Sequence, residues 1–301
     1  MAQKDITAKT LESYNDVFAD IVNGFLFDGE KVISPDELTP ADTFSQYKAE
    51  GKIREQERDV SKFWRKMDIQ LAFIGIENQP VPDKYMPLRV FSYDGAAYRS
   101  QLNPNADQTT VNHYPVITLV LYFGTKDWTY GKSLYDCFDI PDKLKPFVNN
   151  YTMNFYSMKD IAPESIQNFT SDFKTIAEFF FKMNHRDSNT RFSDRKLDHP
   201  EETLDLISVF SGDERFRQKY NESIHQEIKG GVAMGEFYDR ILAEGEAKGR
   251  IEGVAEGRIE GRIEGRAEIV KNLLDIGRSI KEIAEFFKTD EAEIEGLLAK
   301  G

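Results

Sequence analysis

Glu77 and Gln79 stand two residues apart in the segment IQLAFIGIENQ, residues 69–79, and a strand period of two puts them on one face with Ile69, Leu71 and Phe73. Ala72, Ile74 and Ile76 point the other way, and Pro80 and Pro82 bound the run. A carboxylate and an amide thus project side by side from a strand end. Asp59 lies on the preceding candidate strand, around Ile53 to Arg65, and a turn at Lys66-Met67-Asp68 makes the two segments a hairpin that brings Asp59 beside Glu77. Two converging carboxylates with a polar amide form a hard-oxygen site suited to Mg²⁺ or Mn²⁺. On spacing alone a plainer reading stands beside this one: the two acids sit in exposed salt bridges with neighbours such as Arg58 or Lys84.

Positioning such a site takes a layered scaffold. Apolar residues recur at helical spacing from Leu11 to Phe27 (Leu11, Tyr14, Val17, Phe18, Ile21, Val22, Phe25), which predicts a buried helix ending at the Asp28-Gly29 turn. A polar stretch follows from Ser34 to Glu50. Residues 86–102 read as a helix, and YPVITLVLYFG, residues 114–124, is the near-continuous apolar run of a strand covered on both faces. Helix, hairpin, helix and buried strand make an α/β core with a mixed sheet flanked by helices. Beyond Asn150 the pattern is mainly helical, with IQNFTSDFKTIAEFFFKM and EETLDLISVFSG the clearest segments, and the aromatic residues of AEFFFKM read as packing and not as a base-stacking platform. The expected division is a core over 1–150, a helical extension over 151–243, a glycine-repeat segment over 244–268 and a small three-helix module over 269–301.

Composition narrows the chemistry. The 301 residues are 40% hydrophobic and 12% aromatic, enough to pack a core without staples. A single cysteine, Cys137, excludes a disulfide framework and a multi-thiolate zinc site and fits a reducing, cytoplasmic setting. The first residues carry no apolar signal-like stretch, and the longest apolar run is too short to span a bilayer, so no membrane partner is expected. Against a nucleic-acid partner stands the charge: 39 Lys and Arg against 52 Asp and Glu, a formal net charge of −13. Phosphate neutralisation needs cations, but only locally, so a basic cleft remains compatible with that sum.

A spaced series then carries a family resemblance. Arg58-Asp59-Val60, the Glu77-x-Gln79 pair, Pro82-Asp83-Lys84, Met86, Arg89, Tyr93, PVITLVLYFG and Trp128 together resemble the Rpn family of recombination-promoting, transposase-like nucleases of the PD-(D/E)XK type. VFADIVNGFLFDGEKVISPDEL upstream and the glycine-rich tail are similar to that family too. The resemblance implies a restriction-endonuclease-like core and Mg²⁺-dependent hydrolysis of DNA, with Asp59 and Glu77 as metal ligands and the backbone carbonyl of Asn78 as a further one. Gln79 stands where the general pattern has lysine; it can orient a water by hydrogen bonding but cannot act as a cation or base. The N-terminal helix of such folds contributes another acid, and of Asp16 and Asp20, one turn apart on a helical face, Asp20 is the expected choice. Arg89, spaced four residues from Tyr93, reads either as a phosphate-binding residue or as an Arg–Tyr packing pair. Lys84 is a second phosphate-binding candidate, and His113 reads as structural. The competing reading is a non-catalytic interaction or regulatory protein that keeps the nuclease fold.

In the tail, glycines at 245, 249, 253, 257, 261 and 265 recur every fourth residue. As helix-interior glycines they cost about 6 kcal/mol relative to alanine, and Glu–Glu and Arg–Arg neighbours at i, i+4 add repulsion, so a solitary helix needs a partner or the segment is a flexible spacer. The closing residues resemble a compact helix-turn-helix with Ile280, Ile283, Ala284 and Phe287 as its apolar face. Its second helix carries Asp290, Glu291, Glu293 and Glu295, which argues against DNA docking and for a homo-oligomerisation or protein-interaction module.

Overall fold

A computed structural model describes residues 2–41, 44–49, 52–67, 69–102, 113–185, 192–225 and 232–300. The chain divides into two compact units, Met1–Phe237 and Tyr238–Gly301. The first begins with helices α1 (Ala2–Glu12) and α2 (Asn15–Leu26), followed by strands β1 (Leu38–Pro40), β2 (Phe44–Ala49), β3 (Lys52–Glu57), β4 (Val60–Lys66) and β5 (Ile69–Gln79). Helix α3 (Met86–Ser100), β6 (Val116–Tyr122), α4 (Leu134–Cys137), β7 (Asn154–Ser157), α5 (Pro163–Ile166), α6 (Phe173–His185), α7 (Pro200–Ser211) and α8 (Arg215–His225) complete it.

Five strands form one mixed sheet in the order β1-β4-β5-β6-β7, and β2 and β3 form a separate antiparallel pair. β1, β4 and β5 run antiparallel; β5, β6 and β7 run parallel. β6 lies in the middle of the parallel part, and Leu119, Val120, Leu121 and Tyr122 are all fully buried, as its near-continuous apolar run predicts. α3 turns Met86, Val90, Tyr93, Asp94 and Ala97 inward at helical spacing, packing them over the sheet face that carries Phe73, Val116 and Val120. The predicted α/β class, a mixed sheet flanked by helices with a helical carboxyl-terminal region, is the architecture found.

Several boundaries differ from the periodicity, each for a tertiary reason. The helix expected over 11–27 is two helices, broken at Ser13-Tyr14. Lys62 Nζ donates to the Ser13 carbonyl (2.6 Å) and to Asn15 Oδ1 (2.5 Å), while Tyr14 stacks on His199 with ring centroids 3.7 Å apart and donates to Glu202 (2.7 Å). The expected strand around Ile53 to Arg65 divides at Arg58-Asp59: β3 pairs with β2 and β4 with β5, leaving Asp59 in a bend just before β4. The hairpin turn at Met67 takes φ +54°, and Asp68 lies outside the described residues. Part of the polar stretch forms β1 and β2, and the region expected to be helical beyond Asn150 contributes the edge strand β7.

The second unit holds most of α9 (Met234–Asp275), then α10 (Ile280–Phe287) and α11 (Glu291–Lys300). Gly277 at φ +89° ends α9, its N–H and that of Arg278 bonding back to Leu274 and Leu273, and Ser279 with Glu282 forms a capping box on α10. Val270, Ile283, Ala284 and Ile294 form the small core where the end of α9 meets α10 and α11; the glycine segment and the first short helix, expected as separate pieces, are one continuous α9.

One buried ion pair ties the first unit together. Arg58 is 1% exposed, with its guanidinium 5.0 Å from the Phe73 ring centroid and 5.4 Å from that of Tyr93. Its Nη2 donates to Asp94 Oδ1 (2.9 Å), which also accepts from Thr118 Oγ1 (2.6 Å), and Tyr151 donates to the other Asp94 oxygen. Gly75 makes room for this: a Cβ there would lie 2.7 Å from Arg58 Cδ. Asp94→Ala leaves Arg58 buried without its counter-ion and is expected to cost about 3–5 kcal/mol. Gly75→Ala overpacks the same spot and is expected to cost about 1–3 kcal/mol. Urea unfolding measures both; losses below about 0.5 kcal/mol in the two variants would show that the pair does not organise the fold.

Candidate active site at the carboxyl end of the central strand

β5 carries its chemistry at its carboxyl end, where Glu77, Asn78 and Gln79 are all buried. Because Val60 pairs with Ile76, the antiparallel register continued by one residue sets Asp59 opposite Glu77. The bend before β4 aims the Asp59 carboxylate along the strand, where its Oδ2 accepts the backbone N–H of Asn78 (2.6 Å). The two acids that the sequence singles out therefore flank the same strand end. On the α3 face, Arg89 Nη2 donates to Glu77 Oε1 (2.6 Å) and to the Tyr93 hydroxyl (3.2 Å), and Nη1 reaches Asp83 (3.2 Å) and Gln79 Oε1 (3.5 Å). The Arg89–Tyr93 pair is real, and it sits against Glu77. Gln79 shares this face as expected, but its amide nitrogen is committed to the Val81 carbonyl (2.6 Å), so its oxygen is the end directed at Arg89.

The opposite face brings two residues that sequence reasoning missed. α1 ends at Glu12, and Lys9 lies one turn before it on the same side of the helix. Lys9 Nζ is 2.9 Å from Asp59 Oδ1, and Glu12 Oε2 accepts from Asn78 Nδ2 (2.7 Å). The acid from the N-terminal helices is thus Glu12 and not Asp20. Asp20 accepts from the N–H and hydroxyl groups of Thr170 and Ser171 at 2.7–2.9 Å, which fixes the approach to α6, and Asp16 pairs with His199 at 3.0 Å. Apolar periodicity extended one helix through this region and pointed to its middle; the break at Ser13-Tyr14 is a tertiary effect and leaves no local sign. Lys84 is exposed, its ammonium 5.6 Å from the Tyr85 ring centroid, and no contact joins it to the acids; His113 is also exposed. Arg58, offered as a salt-bridge partner for Asp59 or Glu77, belongs to Asp94 instead.

Electrostatically the strand end is short of positive charge. Burial, followed by the neighbouring Asp59, pushes Glu77 up to about 8 despite the opposing pull of Arg89, Arg58 and Lys9. Burial also raises Glu12 well above the usual carboxylate range, with the bond from Asn78 opposing and Asp59 adding to it. Burial works against the charge of Arg89, but Glu77, then Tyr93 and Asp83, hold its pKa above the ordinary arginine value. Three buried oxygens here have no hydrogen-bond partner: Glu12 Oε1, Glu77 Oε2 and Asn78 Oδ1. Orphaned buried acceptors call for a donor or a cation. Among the described residues no three His, Cys, Asp or Glu side chains are already gathered as a metal cage. The available donors, two carboxylates with a strand carbonyl beside them, are of the hard-oxygen kind that suits Mg²⁺ or Mn²⁺.

The raised Glu77 has a signed consequence for stability. Between its ordinary value of 4.5 and about 8 the folded chain holds a proton there that the unfolded chain has lost, so this residue's contribution to stability falls as pH rises through that window and levels off above it. Glu77→Gln removes that dependence. Urea unfolding from pH 5 to pH 9 is expected to show the variant gaining on the native chain by on the order of 2–4 kcal/mol up to pH 8. A difference that stays constant across the window would overturn this assignment.

Comparison with known proteins agrees with the resemblance read from the residues. Residues 50–195 match the sequence model of the family described as "Putative transposase, YhgA-like". The matched segment contains Asp59, Glu77, Gln79, Arg89, Asp94 and the sheet from β4 to β7, while Lys9 and Glu12 precede it. No curated protein and no solved structure matches the chain. Among the described residues no helix is long and apolar enough to cross a membrane. Through residues 50–195, just under half of the chain, the sequence is similar to the YhgA-like family of transposase-type proteins.

Proposed function

We propose that this chain is a metal-dependent DNA endonuclease whose active site is built on Asp59 and Glu77. The observation that carries the reading is the pairing of these acids at the end of β5, with Glu77 pushed up to about 8 and one of its oxygens buried without a partner. Asp59, Glu77 and the Asn78 backbone carbonyl would hold the ion, with Glu12 beside them in the place expected of Asp20. Bound Mg²⁺ or Mn²⁺ would supply acidification of a water and neutralisation of charge at the scissile phosphate. The side chains around it supply the rest. Lys9 and Arg89 hold the acids as counter-ions, and both are cations of a kind that binds a phosphodiester. Gln79 orients through its amide oxygen, since its nitrogen is held by Val81. Two cations, Lys9 and Arg89, stand on the acids of a chain whose net charge is −13.

A plasmid-nicking assay with and without Mg²⁺ tests the reading. Asp59→Ala and Glu77→Ala are each expected to reduce cleavage by about 10²-fold or more, corresponding to about 3 kcal/mol of transition-state stabilisation, with folded chains by circular dichroism. Gln79→Ala should keep measurable activity. Full cleavage in both carboxylate variants would remove this site from the mechanism. The ion pairs Lys9–Asp59 and Arg89–Glu77 favour a second reading, in which the acids are structural and the chain is an interaction or regulatory protein that keeps the nuclease fold. That reading predicts no Mg²⁺ binding by calorimetry, no cleavage by the native chain, and a loss of stability on changing Lys9.

The carboxyl-terminal unit is the expected seat of self-association. Its glycine-rich α9 carries the propensity cost noted above, and Ile269, Ile276 and Phe286 are exposed at the three-helix module. Deleting residues 244–301 is expected to lower the oligomeric state seen by light scattering while the unfolding transition of the remaining unit persists. A full-length chain that stays monomeric at all working concentrations would make the segment a spacer.

A further inference from the structure

A second cavity, of about 440 Å³, lies where β7 closes the sheet, within the volume range of small-molecule sites. Its walls are aromatic: Phe25, Trp128, Phe155 and Tyr156. Its rim is polar, with Asp28, Asp160 and Lys132 among the residues lining it. Trp128 packs edge-on to Tyr122 (centroids 5.2 Å) and tilted against Phe155 (4.6 Å), and Lys132 Nζ stands 4.6 Å from the Phe155 ring centroid. The Trp128 indole N–H is buried and meets no acceptor. A buried donor of this kind costs free energy until something accepts from it.

Sheet register relates this cavity to the candidate active site. Glu77 pairs with Val120 and Val120 with Phe155, while Gln79 pairs with Tyr122 and Tyr122 with Ser157. Side chains in register on parallel neighbours share a face, so Phe155 stands on the face of Glu77, two strands away, about 10 Å across. Both sites open at the carboxyl ends of the parallel strands, the edge at which open α/β sheets take their ligands.

We propose that this cavity binds an unpaired nucleobase of the strand being cleaved. The proposal rests on DNA being the substrate. Charge selects the base over the backbone: two carboxylates against one ammonium disfavour a phosphate. An apolar side chain of a protein partner would leave the polar rim of Asp28, Lys132 and Asp160 unmatched. A neutral planar heterocycle suits both walls and rim, presenting its faces to the aromatic rings and an amino or imino N–H to Asp28 or Asp160. A base held here anchors a nucleotide of the strand beside the acids, as enzymes that take a base out of its stack do.

The test compares a single-stranded deoxythymidine oligomer with an abasic oligomer of equal length, both in EDTA so that nothing is cleaved. Trp64→Phe leaves Trp128 as the only tryptophan of the full-length chain. The deoxythymidine oligomer is expected to quench Trp128 and to bind about 10-fold more tightly than the abasic one. Trp128→Leu keeps an apolar side chain and removes the aromatic wall, and by fluorescence anisotropy it should shrink that preference with the circular-dichroism spectrum unchanged. Equal binding of both oligomers without quenching overturns the nucleobase site and leaves the endonuclease reading intact. Binding of neither oligomer also overturns the nucleobase site, while the plasmid assay with Mg²⁺ decides the endonuclease reading separately.

Discussion

The pairing of Arg58 with Asp94 is the constraint from which the geometry of the first unit follows. An arginine held almost wholly out of water is tolerable only with a matched acid and flanking rings, and Asp94, Phe73 and Tyr93 provide these from α3 and β5. Thr118 on β6 and Tyr151, ahead of β7, complete the shell around Asp94. Five segments are thereby fixed relative to one another at a single point. Asp59 follows Arg58 directly, so the anchor that locks the bend also sets where the next carboxylate points. Gly75 belongs to the same device, because any side chain there would occupy the path of the arginine.

With Asp59 so fixed, the end of β5 accumulates more acid than a buried place tolerates. Glu77 enters from the α3 face and Glu12 from the α1 face, and Asp59 raises the proton affinity of each. Lys9 and Arg89 offset part of this, one on either side. The chain thereby holds the acids in place without an ion, while the orphaned oxygens mark where positive charge is still lacking. Such a balance is characteristic of sites whose strain is maintained by the surrounding fold and relieved by a ligand. The same scaffold aligns β5, β6 and β7 in parallel, so one edge of the sheet presents both the acids and the aromatic cavity.

The two units solve different physical problems. The first buries an apolar sheet between helices and ties it with buried ionic groups such as Arg58, Asp94, Glu77 and Asp172. The second is small, and its core of Val270, Ile283, Ala284 and Ile294 relies on local devices: a left-handed glycine at the end of α9 and a capping box at the start of α10. Such devices act over a few residues, so the turn at Gly277 and the start of α10 were legible from local signals, whereas the single helix running from Met234 through the glycine repeat to Asp275 was not.

By itself the sequence determined the elements with strong periodicity and the acids they carry. The alternation in IQLAFIGIENQ placed Glu77 and Gln79 on one face, the apolar run at residues 114–124 announced a doubly covered strand, and i, i+4 spacing joined Arg89 to Tyr93. These are local, since strand and helix periods are set by backbone geometry. Only the tertiary structure decided which acid of the N-terminal region reaches the site, because the break at Ser13-Tyr14 depends on Lys62, His199 and Glu202, from 47 to 188 residues away. It likewise decided that Arg58 serves Asp94, that Lys9 serves Asp59, and that β7 completes the sheet. Ion pairs and edge strands are chosen by partners distant in sequence, and a single chain's pattern holds no record of which partner the fold will bring near.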